Sequence, residues 1–450
     1  MLVIVTAVYV NSQRTCPIEC QCVGDQATCT DLFSDVTDMT LSDVRDLTQE
    51  PFDSGLRGLR VTGNTRLELK EDFFLRWKIT SLTSLDLPQN NITKIWQRAF
   101  YSLADLRYLD LSGNSITTLH SQTFYYNTRL IVLTLSRNNI TDIHPATFQN
   151  NVGLERISMD GNKITAIDPE LFKNNVELLG VHLGNNRITN IHPSTFRNNR
   201  KLGSVYLRGN KIISINPETF KQNSQLLNLD LSNNRISDIH PSTFRNNSRL
   251  GHLDISRNKI TFSFNFELYF PMNTNSDTSN PTFRLHYINV SANCLTTLDV
   301  ASMKWLNETP VTDLTANPWN CDCSALLEVW RGLKHKLTLH CASPEQLQGK
   351  SWDVMEEFCS LVGGPSVVTT TLIVTGVLLG CAIGGGLILV KVVKRRRKEP
   401  KTPEYCDVYA SRASYVSVHS YEEVGAVPSN LTVESYADVG ERPSYITVQS

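Results

Sequence analysis

Asparagine recurs every 24 residues through the middle of this 450-residue chain, each time within the frame LxxLxLxxN. The positions are Asn90, Asn114, Asn138, Asn162, Asn186, Asn210, Asn234 and Asn258, with Asn64 before them and Asn293 and Asn317 after them. Repeats of this length cannot bury their apolar faces alone, so the period predicts a solenoid of stacked repeats. The long curved surface of such a solenoid suits binding, and the frame itself contains no group that performs chemistry.

The strand segment of each repeat alternates apolar and polar residues with a period of two. In the third repeat we expect Leu109 and Leu111 to point inward and Tyr108 and Asp110 to point outward. The asparagine amide both donates and accepts hydrogen bonds, so it can pair backbone groups of the neighbouring turn. The sequence therefore predicts an α/β solenoid with a parallel concave sheet.

The second half of each repeat carries an Ile-x-Pro segment followed by a phenylalanine that we expect to fill the core from the convex side. These phenylalanines are Phe148, Phe172, Phe196, Phe220 and Phe244. His144, His192 and His240 also recur there. We interpret them as residues of a solvated edge, because a metal would need ligands closer together than alternate turns.

The cysteines form two even groups that bracket the repeats. Cys16, Cys20, Cys22 and Cys29 precede the repeats, and Cys321, Cys323, Cys341 and Cys359 follow them. Such groups predict disulfide-bonded caps and an oxidising compartment, although each cap allows three connectivities. Neither group has the paired CxxC or the histidines of a zinc site, so we expect no metal and no other cofactor.

One further cysteine, Cys294, directly follows a ladder asparagine. If the eight cap cysteines pair among themselves, Cys294 is the odd one. We therefore expect a buried or half-buried thiol there, with an intermolecular disulfide as the alternative.

The apolar run Val367–Val390 contains 24 residues without a charge. It would form a helix of about 36 Å, long enough to cross a bilayer. Seven basic residues follow between Lys391 and Lys401, and such clusters stay cytoplasmic. With the apolar start Leu2–Val10 as a signal peptide that lacks the usual basic residue, we expect a single-pass type I plasma membrane protein.

The predicted span also carries Gly376, Gly380 and Gly384. Small residues at this spacing allow two helices to approach closely, which favours a homodimer. Glycine is also common in spans that do not dimerise, so both alternatives stay open.

Five sequons lie on the predicted extracellular side, at Asn91, Asn139, Asn246, Asn289 and Asn307. We expect glycans there. Asn289 falls on a predicted strand, so its glycan would shield the C-terminal part of the concave face. The interval from Asn258 to Asn293 is 35 residues rather than 24, which indicates an insertion around Asn273–Pro281. It is either a tolerated surface loop or a loop that contacts a ligand.

The chain after the predicted span contains five tyrosines in the frame YxxV. They are Tyr405, Tyr415, Tyr421, Tyr436 and Tyr445. Their surroundings are polar and predicted to be disordered. A phosphorylated tyrosine with a hydrophobic residue three positions later fits recognition by SH2 domains. Clathrin adaptors also read YxxV, but one copy would suffice for endocytosis, so five copies favour signalling.

The cysteine-rich segments resemble the caps of the extracellular leucine-rich repeat family, which includes Slit, the Nogo receptor, platelet glycoprotein Ib chains and Toll-like receptor ectodomains. The resemblance is carried by CPIECQC at Cys16–Cys22 and NPWNCDC at Asn317–Cys323. It implies the disulfides Cys16–Cys22, Cys20–Cys29, Cys321–Cys341 and Cys323–Cys359. The chain differs from better-known members in lacking an immunoglobulin module and a Toll/interleukin-receptor domain.

Repeats five to seven depart from the LDLS pattern that fills the concave positions elsewhere. We predict that Arg156, His182, Tyr206 and Arg208 form the centre of a ligand patch, because arginine and tyrosine are enriched at interface hot spots. No nucleophile–base pair, phosphate loop or metal spacing stands out, so we expect no enzymatic activity. The net charge of −1 argues against a globally basic nucleic-acid binder.

These expectations divide the chain into a signal peptide (1–12), an N-terminal cap (13–50), about ten repeats (51–300), a C-terminal cap (301–361), a transmembrane helix (366–390) and a cytoplasmic tail (391–450). The predicted function is a receptor for an extracellular protein ligand that signals through tail tyrosines and SH2 proteins. The alternative is an adhesion or matrix-organising protein with an endocytic tail.

Overall fold

A computed structural model of the chain describes residues 20–30, 55–64, 67–261, 285–298, 302, 306, 311–321, 339–343 and 345–351. Several predicted features lie outside these residues: the signal peptide, the insertion around 273–281, the sequon at Asn307, the span 366–390 with its glycines, and the tail tyrosines. Within the described residues, no helix is long and apolar enough to cross a membrane.

The described chain contains seventeen strands, most of them three residues long. They are β1 Cys20–Val23, β2 Gln26–Thr30, β3 Gly58–Thr62, β4 Ser84–Asp86, β5 Tyr108–Asp110, β6 Val132–Thr134, β7 Arg156–Ser158, β8 Gly180–His182, β9 Ser204–Tyr206, β10 Ser214–Ile215, β11 Asn228–Asp230, β12 Asp238–Ile239, β13 His252–Asp254, β14 Tyr287–Asn289, β15 Val311–Asp313, β16 Trp319–Asn320 and β17 Cys341–Ser343. Thirteen strands form one sheet in the order β1-β2-β3-β4-β5-β6-β7-β8-β9-β11-β13-β14-β15.

Pairing in this sheet is antiparallel between β1 and β2 and parallel thereafter. The register advances by one repeat at each step, so that Leu85 pairs with Leu109 and Leu109 with Leu133. The predicted alternation is confirmed: Leu109 and Leu111 are buried, whereas Tyr108 is 47% exposed. Strands β13 and β14 still pair in register, so the longer interval before Asn293 does not interrupt the stack.

The ladder asparagines pair backbone groups in both directions, as predicted. Asn186 accepts a hydrogen bond from the Ile164 N–H at 3.1 Å. Its amide nitrogen donates to the carbonyls of Met159 and Leu183, each at 3.0 Å. Equivalent bonds recur from Asn114 to Asn293. Because each amide joins consecutive repeats, the ladder fixes the stacking register.

The convex half of the core is a continuous column of phenylalanines. Rings from Phe74 to Phe220 stack with centroids 5.9 to 6.4 Å apart. The predicted core phenylalanines, Phe148, Phe172, Phe196, Phe220 and Phe244, are all fully buried. Each ring therefore packs mainly against its equivalents in the repeats on either side.

The convex segments are turns rather than α-helices, which corrects the predicted α/β class. Within residues 67–261 the single α-helix is the four-residue Phe73–Arg76, and the convex segment Pro241–Phe244 is a 3₁₀ turn. The turns close by bonds to the carbonyl three residues earlier, as from Asn151 N–H to Phe148. A side chain of the next repeat, Asn175, donates to the same Phe148 carbonyl, which an α-helix would use internally.

Both ends of the solenoid carry disulfides. Cys20–Cys29 joins β1 to β2, and Cys321–Cys341 closes the C-terminal end, as the family resemblance implied. Cys22 is also disulfide-bonded, to a cysteine outside the described residues. The bonds Cys16–Cys22 and Cys323–Cys359 involve such residues and stay predictions.

The prediction of a free thiol at Cys294 is wrong. Cys294 is 4% exposed and disulfide-bonded. Its N–H donates to the Ile260 carbonyl at 2.9 Å, so it continues the backbone stacking of the preceding repeats. The expectation failed because it assumed that the eight cap cysteines pair only among themselves.

Candidate ligand-binding surface

Each three-residue strand presents on the concave face the two residues that flank its central position. The residue two positions after the strand adds a third column. The predicted patch occupies β7 to β9. Parallel pairing sets Ser158 against His182 and His182 against Tyr206, and it sets Arg156 against Gly180. Arg208 lies two residues after the end of β9 and is exposed. The structure therefore brings the four predicted residues together on three neighbouring repeats.

An aromatic pair forms the middle of this patch. The rings of His182 and Tyr206 lie 4.5 Å apart between centroids, at an interplanar angle of 40°. A Cβ atom at Gly180 would lie 3.9 Å from both the Arg156 Cγ and the His182 Nε2 atoms. Both side chains thus border Gly180, at distances that are ordinary van der Waals contacts for a Cβ atom. Arg156, His182 and Tyr206 form one contiguous surface.

Asp160 gives the patch a fixed negative group. The N–H of Gly184 donates to its Oδ1 atom, and the Ser158 hydroxyl donates to its Oδ2 atom at 3.2 Å. The His182 Nδ1 atom lies 3.7 Å from the same Oδ2 atom, with both side chains more than a third exposed. A half-exposed pair of this kind adds little stability. The pair does hold the imidazole beside a carboxylate, and both groups are exposed enough to bind a further partner.

The N-terminal flank of the patch is acidic. Asp86 and Asp110 lie opposite each other on β4 and β5. Burial raises the pKa of Asp86, and the nearby Asp110 raises it further. Arg60, whose Nη1 atom lies 3.5 Å from the Asp86 Oδ2 atom, opposes both effects. An anionic ligand would therefore be repelled more strongly by this flank than by the predicted patch.

The C-terminal flank is also acidic and carries a second aromatic pair. His252 and Tyr287 stack with centroids 4.1 Å apart and an interplanar angle of 9°. Burial raises the pKa of Tyr287, the hydrogen bond from Asn289 lowers it, and the charges of Asp254, Asp313 and Asp230 raise it. The predicted patch thus lies between two acidic regions, which makes it the one cationic part of the described concave columns between β4 and β15.

Three sequon asparagines outside the concave strands are exposed or half-buried, and their glycosylation stays a prediction. Asn91 and Asn246 are exposed and Asn139 is half-buried. Asn289 is half-buried on β14, and its amide nitrogen lies 3.3 Å from the Asp254 Oδ2 atom. A glycan at Asn289 would have to replace that contact.

The convex histidines act as turn caps. The Nδ1 atoms of His144, His192 and His240 accept hydrogen bonds from the N–H two residues later. Asp168 and Asn216 do the same in the intervening repeats. In the described part of the chain, no group of three potential metal ligands lies together. The edge histidines therefore have a definite structural role, because a side-chain acceptor at this position begins each convex turn.

Sequence reasoning missed a second ladder, on the convex side. Its members are Asn127, Asn151, Asn175, Asn199, Asn223 and Asn247, all fully buried. The Asn175 amide donates to the carbonyls of Phe148 and Asn151, at 3.0 and 2.8 Å. The signal was available, since an asparagine also recurs every 24 residues three positions after each core phenylalanine.

A sequence model of the leucine rich repeat family matches the chain in seven overlapping segments. They cover residues 54–116, 80–131, 110–164, 128–180, 153–212, 177–236 and 224–265. Together the matched segments span residues 54–265, just under half of the chain. The stacked parallel strands and the asparagine ladder in this region agree with the match, and folds of this family are typically scaffolds for protein interaction.

One of the similar solved structures shows the same fold at a TM-score above 0.5. A chain of the octameric complex of Latrophilin 3, Unc5D and FLRT2, in which FLRT2 supplies the repeats, is 20% identical, with a TM-score of 0.54. That match covers 74% of this chain and 96% of the other. An internalin of Listeria monocytogenes is 24% identical over 64% of this chain and 74% of its own, with a TM-score of 0.49.

A further similar structure is the Toll–Spätzle complex of Drosophila. It is 20% identical over 66% of this chain and 50% of that chain, with a TM-score of 0.46. No curated protein sequence matches the chain.

Proposed function

We propose that this protein is a single-pass cell-surface receptor that binds an extracellular protein ligand through β7 to β9. The observation that carries the proposal is the contiguous surface of Arg156, His182 and Tyr206. Arginine and tyrosine are enriched at interface hot spots, and Gly180 places no side chain between Arg156 and His182. The acidic flanks favour a ligand with an acidic or aromatic centre and basic ends.

Several features support an extracellular setting. Disulfides at both ends of the repeat domain persist in oxidising compartments. The repeats of FLRT2 in the similar solved structure belong to an assembly with two other proteins, Latrophilin 3 and Unc5D. The apolar run Val367–Val390, followed by basic residues, is our proposed membrane anchor. Glycans at the sequons would complete this arrangement.

For the intracellular side we propose that ligand binding brings spans together through Gly376, Gly380 and Gly384. A separate kinase would then phosphorylate the YxxV tyrosines, and SH2 domains would bind them. The five tyrosines are Tyr405, Tyr415, Tyr421, Tyr436 and Tyr445.

The ligand patch can be tested with the full chain displayed on cells and screened against secreted and cell-surface proteins. Replacing Tyr206 and Arg208 by alanine should weaken binding of any ligand found by about tenfold or more, because hot-spot residues contribute about 2 kcal/mol each. The matched control replaces Arg107 and Tyr108, which expose the same two residue types at the start of β5. Equal binding by both variants and the native chain would place the ligand elsewhere.

The signalling role is tested separately. Phenylalanine at all six tyrosines after residue 400 should abolish SH2 recruitment while ligand binding stays unchanged. The alternative role, adhesion with an endocytic tail, predicts that cell aggregation survives deletion of the tail. Recruitment that persists without the tyrosines would exclude the receptor mechanism.

A further inference from the structure

A row of cations runs along the edge where the chain leaves the concave sheet. In five consecutive repeats the residue directly after the ladder asparagine is basic: Lys163, Arg187, Lys211, Arg235 and Lys259. The first four are exposed and the fifth is half-exposed. We call these five residues the basic edge. The concave patch described above does not include any of them.

Backbone hydrogen bonds hold the basic edge in register. The N–H of Lys163 donates to the Ile140 carbonyl at 2.9 Å, and the N–H groups of Arg187 and Lys211 donate to the equivalent carbonyls at 2.8 Å. The same bond recurs at Arg235 and Lys259. Neighbouring cations are therefore one repeat apart, and five of them span about 19 Å, or four spacings of about 4.8 Å.

The charges of the basic edge are largely uncompensated. Within residues 67–261, the side chains of Lys163, Arg187, Lys211 and Arg235 form no ion pair. Asp160 and Asp238 are the acids within three positions of these residues in sequence. Asp160 is held by Ser158 and Gly184 on the concave side. Like charges this close repel one another, so the row favours a polyanionic partner.

A second row of cations in the same repeats shows a different arrangement. Lys173, Arg197, Lys221 and Arg245 are exposed on the convex side. Lys173 and Lys221 pair with Glu170 and Glu218, at 2.6 and 2.8 Å. Half of this convex row is thus neutralised within its own turn.

The edge also changes character along the solenoid. In earlier repeats the position of the basic edge is held by Asn91, Ser115 and Asn139. Two of these three are sequon asparagines, and their hydrogen bonds, such as Asn139 N–H to Ile116 at 2.8 Å, keep the same register. The cations therefore begin where the sequons of this column end.

We propose that the basic edge binds a linear sulfated polysaccharide. A straight row one residue wide matches a single extended chain with an anionic group on each sugar, whereas a membrane presents a flat sheet of charge. Single-stranded nucleic acid would need aromatic stacking platforms, but Thr165, Thr189, Ile213 and Ser237 flank the row. Disulfide-bonded ends place the edge where sulfated polysaccharides occur.

The test compares three forms of the full chain for binding to immobilised heparin. The edge variant carries K163Q, R187Q, K211Q and R235Q. The control carries K173Q, R197Q, K221Q and R245Q. These substitutions also remove two lysines and two arginines, and they lie in the same repeats. The basic cluster Lys391–Lys401 is identical in all three and gives an equal background.

We expect the edge variant to weaken heparin binding at least about tenfold and the control less than about threefold, since each surface cation contributes several-fold to binding an anionic polymer. Binding should also fall with added salt. If the edge variant loses its fold by circular dichroism, the pairs K163Q/R187Q and K211Q/R235Q replace it.

Three outcomes would overturn the proposal. Equal losses in the edge and control variants would show nonspecific charge attraction. Desulfated heparin that competes as well as heparin would remove the role of sulfate. Double-stranded DNA or anionic vesicles that bind as tightly, through the same four residues, would show a generic polyanion surface. None of these results tests the concave ligand patch. The polysaccharide proposal and the ligand-patch proposal can therefore fail independently.

Discussion

The two asparagine ladders of this solenoid use the same side chain in different ways. On the strand side, Asn186 uses both its oxygen and its nitrogen. On the convex side, Asn175 donates twice, but within the described residues its Oδ1 atom accepts no hydrogen bond. On the strand side, the ladder oxygen is the one partner that the described structure gives to an N–H group of the preceding repeat, such as that of Ile164. The convex ladder adds second bonds to carbonyls that already accept one.

The turns beside the two ladders differ as well. The residue before each strand-side asparagine has a positive φ, as at Arg137, Gly161 and Asn185. Within the described residues, no positive φ occurs before a convex-ladder asparagine. The strand-side turn is therefore tighter and stores backbone strain that its fully used asparagine offsets. The comparison predicts a ranking of mutational effects.

The largest effect is expected at the strand-side ladder. Asn186→Ala unpairs the Ile164 N–H and removes one bond each from the Met159 and Leu183 carbonyls, which keep bonds from the neighbouring ladder amides. We expect the free energy of unfolding to fall by about 3 to 5 kcal/mol, from about 1 to 3 kcal/mol for the unpaired N–H and about 1 kcal/mol for each lost bond. Urea unfolding measures the change, and Asn190→Ala, at an exposed position of the same repeat, is the control. Similar losses for both variants would contradict the role of the ladder.

A smaller effect is expected at the convex ladder. After Asn175→Ala, the Phe148 and Asn151 carbonyls keep bonds from the Asn151 and Leu154 N–H groups. The free energy of unfolding should therefore fall by about 2 kcal/mol, since no backbone group loses its last partner. Asn174→Ala, on the exposed neighbour, should cost less. A loss as large as that of Asn186→Ala would refute the distinction between the ladders.

Removing an unpaired hydroxyl should stabilise the protein. The Thr195 Oγ1 atom is buried and accepts or donates no hydrogen bond within the described structure. The same column contains Leu171 and Ala99 in other repeats, so apolar side chains fit there. We expect Thr195→Val to raise the free energy of unfolding by about 1 kcal/mol. Thr195→Ser, which keeps the hydroxyl, should not; a destabilised valine variant would mean that the hydroxyl has a partner.

The smallest effect concerns the strained turn. Arg137 has a φ of 55°, where three other repeats use Gly113, Gly161 or Gly209. Arg137→Gly should raise the free energy of unfolding by about 0.5 kcal/mol, because relief of about 1 kcal/mol is partly offset by the greater backbone entropy of unfolded glycine. The reverse change, Gly161→Arg, should lower it by a similar amount. Thermal unfolding of both variants measures the pair, and changes of the same sign would contradict strain at this position.

Much of the site was readable from the frame alone. Parallel strands in a 24-residue register put equivalent positions side by side, so Ser158, His182 and Tyr206 had to be neighbours. The sequence could not show that the His182 ring would contact the Tyr206 ring or lie beside Asp160. Those contacts depend on side-chain rotamers, which the period does not encode.

The sequence by itself determined the strand register and the phenylalanine column, because each follows from a repeated spacing. It left three connectivities open in each cap, and the family resemblance implied Cys20–Cys29 and Cys321–Cys341, which the structure contains. Only the tertiary structure decided that the convex segments are turns, since their carbonyls are shared with the next repeat. It also decided that Cys294 is disulfide-bonded, because a disulfide depends on which cysteines the fold brings together. The local sequence pattern determines the contacts within each repeat, and the stacking determines the contacts between neighbouring repeats.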